Sequence, residues 1–339
     1  MTSNINLNLD RKPEYVIFLG AGASCSEGAP SQSKLFNLAF KSDCHSRIDP
    51  SGHLKKYFRI FWGIDIDKDN FDSVVFPTFE EALGMLELAR NRHEAFKGFY
   101  SNANKNNIGY TIEDLIYLIA EILKNTLRNQ NGHHTELVSN LKQRDVLLKC
   151  CFISLNYDIL IDNALISARD VCDIDYGIDF MNFEHRSKFD YENWDKPDPC
   201  KAVKLFKVHG SLNWLYCPVC NKIKITPKTK AVAELAYIEK GKRGCDICRG
   251  SFEPILIPPT YYKNMALTIQ SLLGLSVMPA IWTFRVRILI KNKTWNNLGP
   301  KAVQIVFVKK SHAHSVSKCL LINASHESSL RLGLGSMPF

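Results

Sequence analysis

Two pairs of cysteines constrain the fold of this chain more than any other feature of its sequence. Cys217 and Cys220 are separated by two residues, and so are Cys245 and Cys248. This spacing lets both sulfurs of a tight backbone knuckle point at one ion, and two knuckles complete the tetrahedral thiolate site that zinc prefers. The sequence therefore predicts a small zinc module at about residues 212–254, with the metal in a structural role.

The composition is that of a soluble globular protein in a reducing compartment. Apolar residues make up 45% of the 339 positions and charged residues 23%, which are ordinary proportions. The first ten residues lack the basic start and apolar run of a secretory signal. No stretch reaches the roughly 18 apolar residues of a membrane-spanning helix. Since the chain has 11 cysteines and no secretory signal, we expect a cytoplasmic protein with metal ligands instead of disulfides and with no membrane partner.

The excess positive charge is concentrated in the C-terminal segment 265–339. This segment carries nine lysines or arginines and one acid, Glu327, while the whole chain has a net charge of +9. One interpretation is a basic surface for nucleic acid or an acidic partner. The other is an irregular or incomplete segment that folds poorly. The basic residues are dispersed and no nucleic-acid motif accompanies them, which favours the second interpretation and argues against a nucleic-acid partner.

A glycine turn near the N terminus follows a short apolar run, Glu14–Leu19, and precedes a predicted helix at Lys34–Phe40. This order is typical of the opening unit of a nucleotide-binding α/β sheet. Glycines at such a turn let the backbone approach a pyrophosphate at the start of a helix. The turn lacks the third glycine of the usual dinucleotide motif, so an ordinary tight turn is the alternative. The candidate cofactor residues are Gly20, Ala21, Gly22, Ala23 and Ser24.

A helical block is predicted at about residues 79–145, as an insertion beside the sheet. Apolar residues recur at helical spacing over Phe79–Phe99 and more clearly over Thr111–Leu127, where a threonine and a following acid resemble a capped start. A third helix is expected over Thr135–Lys142.

Residues 41–75 show no such period and are expected to be irregular, and residues 172–200 are expected to form a long ordered loop. In the C-terminal segment, 281–290 and 302–308 are candidate strands.

Polar residues follow two further predicted strands, Val146–Leu155 and Val203–Val208. Asn156 and Asp158 come after the first, at the kind of strand end where open α/β sheets bind ligands. The alternative is that Asp158 caps the next helix and Asn156 bonds to a turn. His209 follows the second strand and could accept a proton from a ribose hydroxyl, although a structural role is the common one for a lone histidine.

These segments, taken in order, resemble the sirtuin superfamily. The glycine turn followed by Gly28–Pro30 is similar to the opening of the sirtuin cofactor loop. Ser154–Asp158 resembles the strand end that carries the family's asparagine and aspartate, and Val208–Gly210 matches its histidine and glycine. The two cysteine pairs follow, as in the sirtuin zinc module. The resemblance covers about residues 14–260, and we expect residues 14–264 to form one sirtuin-like NAD-binding domain.

The resemblance implies a Rossmann-like parallel sheet with a zinc-ribbon module, and it implies NAD as the ligand. Asn156 would contact the nicotinamide ribose and a water, Asp158 would hold the carboxamide, and His209 would be the general base. The residues from Gly20 to Ser24 would cradle the NAD phosphates. The zinc would hold the small module and take no part in the chemistry.

Departures from protein-deacylating sirtuins favour hydrolysis of NAD. Gln32 and Ser33 stand where those enzymes carry a phenylalanine and an arginine, and Leu155 replaces their glutamine. The pattern is more similar to sirtuin-like modules of bacterial antiviral defence, which implies an NAD glycohydrolase. The alternatives are an NAD-dependent protein deacylase and a non-catalytic module that senses NAD or binds a partner. The sequence leaves the oligomeric state open, a homo-oligomer included. The second glycine-serine turn of the family has only a faint counterpart at Gly274–Pro279.

Overall fold

The fold is described by a computed structural model. The described residues are 13–42, 48–49, 51–68, 70–71, 73–92, 98–99, 107–127, 132–183, 195–226, 244–245, 247–256, 305–309, 319–323 and 331–334. For the last three ranges only the backbone is described. Within these ranges the chain forms a mixed α/β fold with a seven-stranded and a three-stranded sheet.

The strands are numbered along the chain. They are β1 Tyr15–Leu19, β2 Cys150–Ser154, β3 Asp173–Asp175, β4 Ala202–Lys207, β5 Gly210–Cys217, β6 Lys222–Ile225, β7 Glu253–Leu256, β8 Ile305–Lys309, β9 Cys319–Asn323 and β10 Arg331–Leu334. The larger sheet has the order β10-β9-β8-β1-β2-β4-β3. Its four strands β1, β2, β4 and β3 are parallel, and β8 is antiparallel to β1.

The register of the three central parallel strands aligns their carboxyl ends. Leu19 of β1 pairs with Ser154 of β2, and Ser154 in turn pairs with Lys207 of β4. These strands are short and mostly buried, as expected for parallel strands covered by helices. The residues that follow them therefore leave the sheet at one edge, where ligands of open α/β sheets bind.

The helices are numbered in the same way. They are α1 Ala21–Ser26, α2 Gln32–Lys41, α3 His53–Tyr57, α4 Phe79–Asn91, α5 Asn107–Thr126, α6 His133–Gln143 and α7 Leu160–Ile166, with shorter turns at Phe58–Trp62, Leu147–Lys149 and Met181–Phe183. The predicted helices at the glycine turn and in the helical block are confirmed, with shifted ends. Among the described residues, none of the helices combines the length and the apolar composition that crossing a membrane requires.

The start predicted for α5 was wrong. Thr111 lies one turn inside this helix, where its Oγ1 donates to the carbonyl oxygen of Asn107 at 2.7 Å. Asp114 is fully buried in the helix and is not a solvent-facing acid of its first turn. The capping box occurs instead at α4, where Thr78 Oγ1 accepts from the backbone N–H of Glu81 and the Glu81 side chain accepts from the backbone N–H of Thr78.

The expectation of irregular structure over residues 41–75 was also wrong in part. This stretch contains α3 and the π-helical turn Phe58–Trp62. Both are stabilised by an aromatic cluster in which Phe58 packs edge-on against Phe36 and Phe40 at centroid distances of 4.9 and 5.0 Å. The sequence showed no helical period here because tertiary contacts of aromatic side chains decide the local structure.

Two further parts of the chain differ from their predictions. The stretch 172–200, expected to be a loop, contains β3, the outer parallel strand. In the C-terminal segment β8 overlaps the strand predicted at 302–308, while β9 and β10 were not predicted. The faint second glycine turn at Gly274–Pro279 lies outside the described residues, and the boundary at 264–265 stays a prediction.

Candidate functional site

Three predicted segments meet at the carboxyl edge of the parallel sheet. Gly20 directly follows β1, Asn156 is the second residue after β2, and His209 is the second residue after β4. Because β2 lies between β1 and β4, the asparagine stands between the glycine turn and the histidine. The structure thus brings the glycine turn and Asn156 into direct contact and places His209 on the neighbouring strand end.

A chain of buried hydrogen bonds joins the first two segments. The side-chain amide of Asn156 donates to the carbonyl oxygen of Gly20 at 2.8 Å and to Ser24 Oγ at 2.7 Å. The Ser24 hydroxyl in turn donates to Asp158 Oδ2 at 2.5 Å. Ser24, Asn156 and Asp158 are all buried. These bonds use both hydrogens of the Asn156 amide, so Oδ1 is the amide atom that can still accept a hydrogen bond.

Asp158 has a structural role that the sequence offered as an alternative. Its Oδ1 accepts from the backbone N–H of Leu160 at 3.1 Å at the start of α7, while Oδ2 accepts from Ser24. Asp158 therefore fixes the position of the Ser24 hydroxyl, which in turn accepts from the amide of Asn156. Its predicted contact with a nicotinamide carboxamide stays a prediction.

The glycine turn is the first turn of a short helix and not an open loop. Ala21 and Gly22 are exposed, whereas Ala23 and Ser24 are buried. The backbone of the turn is closed by a bond from the Ala23 N–H to the Gly20 carbonyl at 2.9 Å. The exposed half of the turn is the part that a phosphate could reach, and Ser24 serves the buried network.

His209 is half-buried and lies against the ring of Tyr157. The two ring centroids are 6.2 Å apart, and Tyr157 makes an edge contact of 5.8 Å with Phe79 at the start of α4. The following residue must be a glycine. Gly210 has φ +80, and a Cβ at this position would lie 2.2 Å from the carbonyl oxygen of Ile255 in β7. The close approach of β7 therefore excludes a side chain at the position after His209.

Glu27 anchors the helix of the glycine turn, and no pattern in the sequence indicated this role. Its carboxylate accepts from the backbone N–H groups of Gly132 and His134, both at 2.8 Å, and lies 2.8 Å from Nδ1 of His134. Burial opposes ionisation of this group, but these hydrogen bonds outweigh burial and lower the pKa of Glu27 to about 2. More than a hundred residues separate the partners, so no local pattern could have indicated the contact.

The four predicted metal ligands lie together at one end of the small sheet β6-β5-β7. Their sulfur atoms are all within 4.8 Å of one another. The Cys217 and Cys248 sulfurs are 3.4 Å apart, and those of Cys220 and Cys245 are 3.6 Å apart. Cys217 and Cys245 are buried and the other two are half-buried. Four converging thiols, partly shielded from water, could bind a metal ion such as zinc.

The two knuckles have the same backbone geometry. Asn221 donates its N–H to the carbonyl oxygen of Cys217, and Arg249 donates to that of Cys245, both at 2.9 Å. Both donors have positive φ, 55° and 62°, which is uncommon for residues other than glycine. This turn folds each cysteine pair back on itself so that its two sulfurs point the same way.

The acidity of one thiol in the cysteine cluster also favours a bound cation. Burial raises the pKa of the Cys217 thiol, but hydrogen bonds from the backbone of Cys220 and from the Cys248 thiol outweigh burial and lower this pKa to about 7. Gly250 lies close to the cluster, because a Cβ at this position would be 2.7 Å from the Val219 side chain and 3.3 Å from the Cys217 sulfur, and Val219 would have to shift.

A second group of ligand-type side chains includes a carboxylate that already binds the backbone. Asp49, His53 and Asp114 place ligand atoms within 4.8 Å of one another. The Asp49 carboxylate accepts from the backbone N–H groups of His53, Leu54 and Lys55 at 2.7 to 3.3 Å. The Asp49 carboxylate therefore satisfies N–H groups at the start of α3, where the N-cap residue Gly52 has no side chain, and we assign no metal to this group.

No protein-family model matches this chain, and no curated protein matches it at a significant level.

Proposed function

We propose that this chain is a sirtuin-like enzyme with a Rossmann-like sheet that cleaves the nicotinamide–ribose bond of NAD. One observation carries the proposal. The glycine turn, Asn156 and His209 follow three adjacent parallel strands whose ends are in register. This is the edge at which open α/β sheets bind nucleotides, and the three segments carry the residue types that such a reaction needs.

The role of Asn156 follows from its hydrogen bonds. Cleavage of the nicotinamide–ribose bond develops positive charge on the ribose, so the site needs oriented acceptors and a positioned water more than a strong nucleophile. Both amide hydrogens of Asn156 are used by Gly20 and Ser24. Its Oδ1 is thereby held in a fixed orientation, in which it would accept from the attacking water or from a ribose hydroxyl.

His209 would act as the general base. An imidazole changes protonation near neutral pH and can accept a proton from a ribose hydroxyl or a water. Its ring lies beside that of Tyr157, with the two ring centroids 6.2 Å apart. The exposed backbone of Ala21 and Gly22 would receive the phosphates.

The metal would serve the structure and not the reaction. Cys217, Cys220, Cys245 and Cys248 would hold a zinc ion that closes the small sheet. The first strand of that sheet, β5, begins at Gly210, directly after His209. A bound metal would stabilise the strand that leads away from the proposed base.

The direct test is the release of nicotinamide from NAD by the purified protein. We expect Asn156→Ala and His209→Ala each to lower the rate by about 100-fold or more, the usual loss when a positioned acid–base or electrostatic group is removed. Asn91→Ala and His133→Ala are matched controls, because both side chains are exposed and remote in sequence from the proposed site. Wild-type rates in both site variants, or no release by the wild type, would refute the proposal.

The same assay separates hydrolysis from protein deacylation. Leu155, which stands in place of the glutamine of deacylating sirtuins, has 46% of its surface exposed beside Asn156. An apolar side chain there lacks the amide of the deacylase pattern, which favours water as the acceptor of ADP-ribose. Turnover that requires an acetyl-lysine peptide would instead indicate a deacylase. Calorimetric binding of NAD without turnover would indicate a sensing module.

A further inference from the structure

A buried ion pair lies directly beneath the proposed site. The side chains of Lys207, the last residue of β4, and Asp162, in the first turn of α7, have no exposed surface, and Lys207 Nζ is 3.2 Å from Asp162 Oδ2. Lysine occupies the buried face of β4 together with Val203 and Leu205. A charge on this face is costly unless it is paired, so the position calls for an explanation.

The Lys207 ammonium also binds the turn that carries Asn156 and Asp158. Nζ donates to the backbone carbonyl oxygen of Asp158. On the other side of the pair, Asp162 Oδ1 accepts from the hydroxyl of Tyr176 at 2.7 Å. Burial raises the pKa of Tyr176 well above its usual value, so this hydroxyl remains a donor.

Lys207 is one of several links between the two strand ends. The backbone N–H of Val208 donates to the carbonyl oxygen of Ser154 at 3.3 Å, and that of Leu212 donates to Tyr157 at 2.9 Å. The Tyr157 ring contacts His209. Contacts from Lys207 and Val208, which precede the histidine, from the histidine ring itself, and from Leu212, which follows it, therefore join this segment to the turn around Asn156. Among these links, only Lys207 carries a full charge.

We infer that Lys207 is a positioning residue, paired with Asp162, that sets the distance between Asn156 and His209. This inference rests on the proposed function for its catalytic consequence, though not for its geometry. Asp162 neutralises the ammonium, so the pair holds the turn without adding net positive charge near a ribose that itself becomes positive. Misplacing reacting groups by about 1 Å can cost about 100-fold in rate.

The experiment compares Lys207→Met, Asp162→Asn and the double variant. Each single change leaves one buried charge without its partner, so both single variants should be less stable than the wild type. In the double variant neither charge remains and the asparagine can still accept from Tyr176, so stability should recover toward the wild type. The donor to the Asp158 carbonyl is still missing in that variant.

The double variant therefore separates folding from positioning. We expect it to melt as a folded protein and to bind NAD within about 3-fold of the wild type, with kcat lower by about 100-fold. Lys204→Met is the matched control, because Lys204 lies on the same strand at a partly exposed position and should keep wild-type kcat. A folded double variant with wild-type kcat would overturn the inference.

A crystal structure of the double variant gives a readout that needs no activity. We expect the turn at residues 156–158 to be displaced from His209 by about 1 Å or more relative to the wild type. If the wild type releases no nicotinamide, the proposed function fails and the crystal comparison alone decides the positioning role. An unshifted turn would then overturn it.

Discussion

The cysteine module and the proposed nucleotide site are assembled in opposite ways. In the module, each pair of ligands lies within four consecutive residues, and each knuckle is closed by a backbone bond from the residue directly after it. In the proposed site, Asn156 binds Gly20 and Ser24, which precede it by 136 and 132 positions. The chain's local geometry builds the first site, and the order of strands in the larger sheet builds the second.

This difference predicts how each region responds to substitution. The strands of the module share the apolar core of the protein, with Trp214, Leu215 and Ile225 buried, so a bound metal would stabilise chiefly the two cysteine knuckles. The proposed site is supported by a network in which each polar group has a partner on another element. Loss of one member should therefore remove only part of the stability of that network, whereas loss of one cysteine ligand should release the metal from the module.

The largest effect is expected from Cys217→Ser. Structural zinc contributes an apparent binding free energy of about 10–16 kcal/mol in small zinc modules, so its loss should unfold the two knuckles and lower the stability of the protein. Metal analysis should find a single zinc in the wild type and none in the variant. Cys200→Ser, at an exposed cysteine, should keep both metal and stability. A metal-dependent module would be contradicted if the wild-type protein purified without metal and had the same stability as Cys217→Ser.

Gly210→Ala should come next, because this residue joins the two regions. A side chain in the left-handed conformation costs about 1–2 kcal/mol, and the clash with the Ile255 carbonyl adds an overpacking cost, for a loss of about 4 kcal/mol in unfolding free energy. Gly52→Ala is a matched control, since Gly52 also has positive φ, 69°, but nothing lies within 4 Å of its Cβ position. Urea unfolding of both variants measures the difference. Equal losses would show that the approach of β7 is unimportant.

Glu27→Gln tests the anchor of the glycine turn through its pH dependence. The pKa of Glu27 is lowered from 4.5 to about 2 in the folded protein. Its contribution is therefore present above pH 4.5 and is lost as the pH falls toward 2. The shift corresponds to about 3 kcal/mol at neutral pH. The variant should be less stable at pH 7 and should lose less stability on acidification.

The control for this prediction is Glu136→Gln, at a side chain with 51% exposure. It should leave the stability at pH 7 and its acid dependence close to the wild type. If the stability of Glu27→Gln fell with decreasing pH as much as that of the wild type, the carboxylate would not anchor the glycine turn to the start of α6.

Ser24→Ala should have the smallest effect on stability. Removing one hydroxyl from a buried network costs about 1–2 kcal/mol, but here it removes both an acceptor for Asn156 and a donor for Asp158. We expect nicotinamide release to fall more than the stability loss would explain, since Asn156 loses its orientation. Ser33→Ala, at an exposed serine, should match the wild type in thermal melting and in turnover. Undiminished turnover in Ser24→Ala would show that the network does not orient the amide.

The local features of the sequence predicted single elements better than the contacts between elements that are distant along the chain. The apolar stripe of α5, the strand β1 and the paired cysteines were recognisable because each is a pattern within one segment. The start of α5 at Asn107, the helix α3 and the strand β3 were missed, since contacts from distant residues stabilise them. Lys207 shows the same limit, because its place in an alternating strand was visible but its partner Asp162 was not.

The sequence by itself determined that two cysteine pairs could form one four-sulfur cluster, since knuckle geometry depends only on residues that are close along the chain. It also placed a glycine turn, an asparagine and a histidine after strands. Only the tertiary structure decided that those strands are adjacent and in register, that Asn156 binds the glycine turn through its amide hydrogens, and that a buried lysine supports the turn from below. Hydrogen bonds between distant segments depend on the order of strands in the sheet, and residue spacing alone does not specify that order.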